Sequence, residues 1–426
     1  MEIFKFLVQY KKKIINILLY FIGVLALKGA SFLLTPIYTR VFSTAEYGTI
    51  ELGNTIISFV SIIIGLGLCQ YLGIEYFHFK DRERTIAIEK NLLVYFILVT
   101  PLIVVLSFIN GFDLILIKGL DRDIIFLVLL QSFFVYFSNL SLMLCKNQGK
   151  TTLMTLLQLV VGLITFGLNI MGVCYWGWGI YSIFVTGIIS GGVLLFVLPF
   201  IYHLDVNIKD VSISYDEIVN MLKISTPLAI TGLINSVLLL SDRWILNYYC
   251  STSEIGIYSL ATKFSSVFEM IIINTLTIFY SPYIYQSYQN NGIKVSECQN
   301  RSKLKWYMVL GGGASILFCL VVSFIFPIFV GEKFSESENY LWIILIGDVF
   351  WGATYFRTYL INYQKRTKSI LNINLIALIF NFVANIVLIP KYHIWAAAVT
   401  TTASYIVMFM VSSFINQKVF RENVEI

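Results

Sequence analysis

The segment Pro227–Glu269, PLAITGLINSVLLLSDRWILNYYCSTSEIGIYSLATKFSSVFE, combines long apolar runs with ionisable residues. The two runs flank the hexapeptide Ser251–Gly256. The ionisable residues within them are Asp242, Arg243, Lys263 and Glu269. A charged side chain inside a bilayer is costly unless it faces a partner or water. The segment therefore predicts two membrane-spanning helices with a polar interior face.

The composition of the whole chain points the same way. Hydrophobic residues make up 58% of the 426 residues and charged residues only 13%, whereas about a quarter of residues are charged in a soluble domain. Twelve apolar runs reach the roughly 20 residues that a transmembrane helix needs. They span residues 14–38, 48–74, 91–112, 124–145, 151–174, 178–203, 224–248, 256–284, 306–330, 340–362, 369–390 and 394–416. We expect an all-α integral membrane protein with twelve transmembrane helices.

The N-terminal region and the cysteines exclude two other interpretations. Lysines 11–13 precede the first apolar run, but this run is too long for a signal peptide and no small-residue cleavage site follows. We therefore expect a retained first helix. The six cysteines are scattered with no close pair, which indicates neither a disulfide framework nor a cysteine metal site.

Basic residues are distributed unevenly between the two sets of loops. With a cytoplasmic N-terminus, 21 of the 30 basic residues fall in cytoplasmic segments, five in outer loops and four within helices. Cytoplasmic loops of membrane proteins carry such an excess, so both termini are predicted to be cytoplasmic. Membrane insertion and anionic lipid headgroups account for the net charge of +6. No nucleic-acid partner is expected.

Sequence echoes indicate that the chain is a duplication. The hexapeptide pattern of Ser251–Gly256 occurs earlier as Ser43–Gly48, at an offset of 208 residues. Further echoes, at an offset of 216 residues, pair Gln148–Thr151 with Gln364–Thr367 and Asn169 with Asn385. We expect an N-terminal six-helix bundle (1–203), a cytoplasmic linker (204–223) and a C-terminal six-helix bundle (224–426). Because each copy has an even number of helices, the pseudo-twofold axis should run along the membrane normal.

Several predicted helices carry a polar stripe on one face, and charged residues join some of these stripes. Candidate residues for lining a polar cavity are Lys28, Arg40, Asn54, Asn235, Arg243, Lys263, Asn274 and Arg357. Candidate acids for coupling an ion or balancing these charges are Glu51, Asp242, Glu269 and Asp348. Two alternatives stay open: the uncharged residues could serve helix packing alone, and Lys28 and Arg40 could extend to the membrane surface. Asp242 and Arg243 point about 100° apart on a helix, so both cannot face one narrow cavity.

The sequence segments that resemble enzyme motifs are incomplete or lie in an unsuitable place. Gly149-Lys150-Thr151 resembles the end of a phosphate-binding loop, but Leu144 stands where that loop requires glycine. The sequence Asp121-Arg122-Asp123, like the acidic pair of glycosyltransferases, falls in a short outer loop. The histidines 78, 203 and 393 are predicted to form no ligand cluster. We expect neither an enzyme nor a cofactor or metal.

Three segments carry a family resemblance. They are Leu34–Gly48 (LTPIYTRVFSTAEYG), Ser241–Leu246 with Glu254–Ser259 (SDRWIL and EIGIYS), and Asn385–Ala398, in which Trp395-Ala396 stands where Gly-Ala is common. Together they resemble the polysaccharide-export flippases of the Wzx type, within the multidrug/oligosaccharidyl-lipid/polysaccharide superfamily. The resemblance implies two six-helix bundles in a V, with the first, second, seventh and eighth helices lining a central cavity. It also implies a bacterial inner membrane protein that works by alternating access.

The substrate implied by this resemblance is an oligosaccharide linked to undecaprenyl diphosphate, such as an O-antigen or capsule repeat unit, moved from the cytoplasmic to the periplasmic leaflet. Arg243, Lys263 and Lys28, with Arg357 as a weaker candidate, would attract the diphosphate, and the buried acids would hold these cations or bind a coupling ion. Membrane lipids, and the polymerase and chain-length proteins of the pathway, are the expected partners. The alternatives are a drug or cation antiporter of the same fold and a non-flipping membrane component of polysaccharide assembly.

Overall fold

Most of the apolar runs form long helices in the computed structural model of the protein, which describes residues 29–78, 81–115, 117–202 and 213–424. Within these ranges the chain forms helices, turns and loops but no β-strand. The α-helices are α1 (Thr35–Val41), α2 (Thr44–Gly65), α3 (Leu68–Glu75), α4 (Asp81–Gly111), α5 (Arg122–Asn147), α6 (Thr151–Ile170), α7 (Tyr181–Tyr202), α8 (Tyr215–Tyr249), α9 (Thr252–Phe268), α10 (Thr275–Phe329), α11 (Glu338–Tyr363) and α12 (Thr367–Val424). A helix satisfies its backbone hydrogen bonds within one segment, as an apolar run inside a bilayer requires. The all-α prediction is confirmed.

Eight helical stretches of the described residues are long and apolar enough to cross a membrane. Two of them, Thr252–Phe329 with 78 residues and Thr367–Asn423 with 57 residues, far exceed the roughly 20 residues of one crossing. Most of the first predicted span, 14–38, lies outside the described residues. The eight stretches therefore do not correspond one to one with the twelve predicted spans.

Kinks replace two predicted loops. Gly292 (φ 77°, ψ 163°) interrupts α10, and His393 (φ 51°, ψ −128°) interrupts α12. Glycine adopts a positive φ readily, whereas a non-glycine residue held in a sparsely populated region costs about 1–3 kcal/mol. Contacts of the surrounding structure must therefore stabilise His393 in this conformation.

Other helix boundaries also differ from the predicted ones. The predicted span 48–74 is divided into α2 and α3 at Leu66 (φ 49°) and Gly67 (φ 70°). A Cβ atom at Gly67 would lie 2.1 Å from the carbonyl oxygen of Ser225, so the backbone of α8 packs directly against this break. Two π-helical turns, Met171–Tyr175 and Glu269–Asn274, had no signal in the hydrophobic pattern.

The echoed segments adopt the same local structure. At the end of α5, the Lys150 N–H donates to the carbonyl oxygen of Cys145 at 3.0 Å; at the end of α11, the Arg366 N–H donates to that of Ile361 at 3.1 Å. These bonds span five residues, as in a common helix C-terminal motif. The preceding residues, Gly149 (φ 67°) and Lys365 (φ 55°), are both left-handed. The two turns are thus alike at the 216-residue offset of the sequence echo.

The contacts between residues divide the chain into two units. The first unit comprises the chain up to Phe42 together with Gly53–Leu233. Its aromatic core includes Tyr95 and Tyr136, whose rings stack with centroids 3.7 Å apart. The Tyr136 hydroxyl donates a short hydrogen bond to Asn91 Oδ1, and Asn91 Nδ2 donates to the carbonyl oxygen of Leu68 at 3.0 Å. Tyr136 and Asn91 are therefore linked to each other and to the backbone of α3 within this core.

The second unit comprises Ser43–Leu52 and Ile234–Ile426. Its core draws apolar side chains from α8, α9, α11 and α12. The most buried of them include Leu246, Ile255, Tyr258, Leu345, Ile389 and Ala397. Most of the predicted charged site residues lie in this unit, and the candidate site is described within it.

Candidate functional site

The two echoed hexapeptides form the same helix cap. Glu46 Oε2 accepts hydrogen bonds from the backbone N–H and the hydroxyl of Ser43, both at 2.8 Å, and the Glu46 N–H donates back to Ser43 Oγ at 3.2 Å. Ser251 and Glu254 repeat this arrangement at 2.9, 2.9 and 3.3 Å. This reciprocal pattern is a capping box, which starts a helix by satisfying its free N–H groups. It fixes the starts of α2 and α9.

The caps contact each other through their glycines. A Cβ atom at Gly48 would lie 1.8 Å from the carbonyl oxygen of Thr252, and one at Gly256 would lie 2.2 Å from that of Thr44. Both clashes are with backbone atoms, so α2 and α9 approach as closely as their backbones allow. The contact is reciprocal, because each glycine faces the first residue of the other helix. It brings the first turns of α2, with Tyr47 and Glu51, beside α9 with Lys263.

Lys263 lies at the centre of a small charged cluster. Its Nζ atom donates to the Tyr47 hydroxyl at 3.3 Å and lies 5.6 Å from the centroid of the Tyr47 ring. Tyr47 is fully buried and packs edge-on against Phe334. The charges of Glu51 and Arg243 both act on Lys263. Two cations and one acid from three helices therefore come together, although they are far apart in the sequence.

Asp242 and Arg243 have different neighbours. Asp242 is only 6% exposed; its Oδ2 accepts a short hydrogen bond from the Tyr258 hydroxyl, and its Oδ1 accepts the Arg243 N–H at 2.8 Å. The guanidinium of Arg243 is partly buried and donates to Thr262 Oγ1 at 3.0 Å. Arg243 is thus the member of the pair on the side of Lys263.

The remaining acids lie around the π-helical turn Glu269–Asn274, which follows α9. Asn274 Nδ2 donates to Glu269 Oε1 at 3.4 Å, across the five-residue spacing that a π-helix aligns. Asp348 is 5% exposed and accepts a hydrogen bond from Ser265. The charge of Glu269 acts on Asp348 and on Tyr355. The turn therefore orients Glu269 and Asn274 together, which α-helical geometry would not do.

A cavity of about 360 Å³ opens among α8, α11 and α12. Its polar lining comes from uncharged side chains: Asn235, Thr354, Tyr355, Thr358, Asn362 and Asn374. Its apolar lining consists of Leu239, Trp351, Ile370 and Met408. Of the predicted cations that the structure describes, none is among these lining residues. Amide and hydroxyl groups beside an indole ring suit a neutral, hydroxyl-rich ligand rather than an anion.

The polar stripes serve two purposes. Asn381 and Asn385 are buried and bond to each other at 3.0 Å, and Asn381 also bonds to Ser404 at 3.4 Å. These residues join α12 to itself across its kink, which agrees with the packing alternative. Asn374, on the same stripe, lines the cavity instead.

The other predicted site residues are dispersed. The Arg357 guanidinium stacks over the Phe409 ring at 5.8 Å, and the charges that act on it are those of Glu297 and Arg301. Arg40 is exposed in the last turn of α1, and Asn54 is partly buried on α2 in the first unit. Lys28 lies outside the described residues.

One side-chain cluster contradicts the sequence analysis. His393, which was predicted to belong to no ligand cluster, lies with Cys250 and Glu254, and their ligand atoms are all within 4.8 Å of one another. The prediction failed because these side chains are brought together only by the kink of α12 and the short turn between α8 and α9. The only sequence signal near this place was the echo of Ser251–Gly256 with Ser43–Gly48, and it indicated a duplication rather than a metal site.

A comparison with known protein families gives two matches. The family described as polysaccharide biosynthesis protein matches residues 14–288. The family described as MatE matches residues 227–387. A comparison with curated proteins found no match.

Several solved structures share the fold. The lipid II flippase MurJ, in an inward closed conformation, is 14% identical with a TM-score of 0.74, over 96% of this chain and 89% of that chain. A multidrug resistance MATE family transporter of the MOP superfamily, in an inward-facing conformation, is 11% identical with a TM-score of 0.72, over 96% and 99%. A MOP superfamily transporter from Pyrococcus furiosus is 11% identical with a TM-score of 0.64, over 95% and 94%. At such low identities the similarity establishes the fold.

These findings define the class of the protein. It is a multi-pass membrane protein with the transporter and flippase fold of the MOP superfamily, the superfamily indicated by the sequence resemblance. Because the first family match covers well over half of the sequence, the chain belongs to the polysaccharide biosynthesis protein family. The matched families and structures are those of transporters and flippases, which fits the expectation that the chain is not an enzyme.

Proposed function

We propose that this protein is a flippase for a polyprenyl-diphosphate-linked oligosaccharide, such as an O-antigen or capsule repeat unit. It would move the headgroup from the cytoplasmic to the periplasmic leaflet by alternating access, while the prenyl tail stays in lipid. The bacterial inner membrane, cytoplasmic termini and two six-helix bundles (1–203 and 224–426, joined by 204–223) are part of this proposal. The family membership, the basic loops and the repeated caps and turns support it.

The observation that carries the proposal is the pairing of Lys263 with Arg243. Each side chain is partly buried, the charge of one acts on the other, and Glu51 is the acid that acts on Lys263. Two cations near one another in a medium of low polarity together attract an anion more strongly than either does alone. A diphosphate supplies that anion, and arginine and lysine are its usual ligands.

The neutral cavity would serve the sugar. Asn235, Asn374 and Thr358 offer donors and acceptors for hydroxyl groups, and Trp351 offers an aromatic face. Lys28, Arg40, Asn54, Asn274 and Arg357 remain candidate contacts along the path of the headgroup. Asp242, Glu269 and Asp348, together with Glu51, are proposed to balance these charges or to bind a coupling proton or cation.

The test replaces Lys263 or Arg243 by alanine in cells that make a surface polysaccharide. We expect surface polysaccharide to fall at least about tenfold, since losing one charge-assisted contact to a phosphate costs about 1.5–3 kcal/mol. The finished lipid-linked unit should accumulate in the inner leaflet. Lys263→Arg should keep partial function, and Lys305→Ala, at an exposed position, should behave as wild type.

Wild-type export by both alanine variants, at wild-type protein levels, would refute the assignment of the cations. The antiporter alternative gains its support from the buried acids Asp242 and Asp348. It predicts unchanged polysaccharide and increased drug sensitivity in a deletion strain. A non-flipping component would tolerate the alanine substitutions.

A further inference from the structure

Three potential metal ligands converge where α8, α9 and α12 meet. Cys250 follows the last residue of α8, Glu254 lies in the first turn of α9, and His393 forms the kink of α12. The sulfur, carboxylate oxygen and imidazole nitrogen are all within 4.8 Å of one another. All three residues belong to the second unit. We propose that they form a binding site for a borderline divalent metal ion, for which Zn²⁺ is the probe.

The chemistry of the three groups favours this kind of ion. A thiolate, an imidazole and a carboxylate are the ligands that zinc takes in proteins, and hard ions such as Mg²⁺ avoid the sulfur. The ligand atoms around a tetrahedral zinc lie about 3.3–3.8 Å apart, given bond lengths of about 2.0–2.3 Å. The observed limit of 4.8 Å therefore requires only side-chain adjustments. The thiol proton of Cys250 passes to solvent as the metal–sulfur bond forms.

Glu254 is oriented for this role by its helix cap. Its Oε2 atom is held by the backbone N–H and hydroxyl of Ser251, both at 2.9 Å, which leaves Oε1 to face His393 Nδ1 at 2.7 Å. Such outer hydrogen bonds fix a ligand and raise its affinity for metal. The equivalent acid of the other cap, Glu46, shares the cap geometry. Glu46 therefore serves as the internal comparison for Glu254.

The site is buried on the side of Cys250 and exposed to solvent on the side of His393. Cys250 is 5% exposed and belongs to an apolar cluster with Ile255 and Ile394. The side chain of His393 is 52% exposed, so water can reach the ion and complete its coordination. A bound ion would join the end of α8, the start of α9 and the kink of α12. It would also stabilise the left-handed backbone of His393.

The experiment uses the full chain, purified without a polyhistidine tag and stripped with a chelator. Co²⁺ is added first, because a cobalt–thiolate bond gives a near-ultraviolet charge-transfer band and a tetrahedral site gives intense visible bands. We expect both signals at one equivalent in the wild type. Cys250→Ser should lose the thiolate band, and Cys250→Ser and His393→Ala should each weaken Zn²⁺ binding at least about tenfold, the effect that even outer-shell ligand partners have.

Two control variants test whether the loss of metal binding is specific to Cys250 and His393. Cys298→Ser and His78→Ala alter an exposed cysteine and an exposed histidine elsewhere, and they should bind like the wild type. X-ray absorption at the zinc edge of the wild-type chain should reveal one sulfur ligand at about 2.3 Å, independently of any variant. A first shell without sulfur, or affinities that Cys250→Ser and His393→Ala leave unchanged, would overturn the proposal. Neither measurement involves the transported substrate, so failure of the flippase hypothesis would leave this test intact.

Discussion

Asp242 illustrates how a single buried charge is accommodated in this chain. Its two carboxylate oxygens accept hydrogen bonds from the Tyr258 hydroxyl and the Arg243 backbone N–H. The Tyr258 hydroxyl also lies 3.4 Å from Thr401 Oγ1, so the acid belongs to a network between α8, α9 and α12. A buried acid held in this way orients its neighbours as well as carrying charge.

Replacing Asp242 by alanine should therefore destabilise the protein. The change removes the hydrogen bond of the buried Tyr258 hydroxyl to the carboxylate and leaves it the 3.4 Å contact with Thr401, and a hydrogen bond to a charged group contributes about 1.5–3 kcal/mol. Asp242→Asn, which keeps an acceptor for the Arg243 N–H, should lose less. Thermal unfolding of the purified protein measures the difference.

The control for this series is Asp216→Ala, because Asp216 is exposed in the first turn of α8. If Asp242→Ala unfolded at the same temperature as Asp216→Ala, the network would contribute nothing to stability. An Asp242 variant that unfolds at the wild-type temperature but does not export the oligosaccharide would instead support a role of Asp242 in ion coupling.

The crossing of α2 and α9 determines the geometry of the charged cluster. Tyr47 and Glu51 reach Lys263 because Gly48 and Gly256 let two backbones touch. The contact uses the same residue type at the same position of two echoed motifs. The same close contact between a glycine and the backbone of the other helix therefore occurs twice, once from each helix.

Gly48→Ala and Gly256→Ala should each destabilise the second unit. The added methyl group meets a carbonyl oxygen at 1.8 or 2.2 Å, and backbone atoms cannot move aside as a flexible side chain would. Overpacking of this kind costs about 1–3 kcal/mol. Because both changes open one crossing, the double variant should lose less than the sum of the two.

Gly312→Ala and Gly313→Ala provide the matched control. They lie within α10, and apart from the local backbone of this helix no described atom lies within 4 Å of a Cβ at either position. Alanine should be neutral there or stabilise the helix by up to about 1 kcal/mol. Equal melting temperatures for Gly48→Ala and Gly312→Ala would contradict the close crossing.

In the proposed topology of the whole molecule, the basic loops lie on one side of the membrane. Lys418 and the Tyr392 ring are exposed, near the C-terminus and beside the kink of α12 respectively. The proposed topology, which rests on the excess of basic residues, would place Lys418 in the cytoplasm and the kink on the opposite side.

Single cysteines at these positions, in a variant without the natural cysteines, test this assignment. A membrane-impermeant maleimide should label Tyr392→Cys in intact spheroplasts and Lys418→Cys only in inverted vesicles. The reverse pattern would invert the topology and, with it, the proposed direction of transport. Labelling of both cysteines from one side would contradict an odd number of crossings between them.

Composition and sequence pattern were enough to identify the class of the protein. Composition and run length required membrane helices, since only a helix satisfies the backbone of such a run in lipid. The echoed motifs indicated a duplication, and in the structure they form matching caps and turns, because these depend on local hydrogen bonds between residues close in sequence. Asp242, Arg243 and Lys263 stood out as ionisable residues within apolar runs, which any tertiary arrangement must accommodate.

Which of these residues come into contact depends on the folded arrangement of the helices. The π-helical turn at Glu269, the kink at His393 and the glycine crossing arise from packing between distant segments, and none has a periodic signature. In the folded chain, Arg357 lies among other charges than those of the Lys263 cluster, the cavity has a neutral lining, and Cys250, Glu254 and His393 come together. The physical reason is that helix periodicity defines the face of a residue on its own helix, whereas its partners depend on how long-range contacts position the other helices.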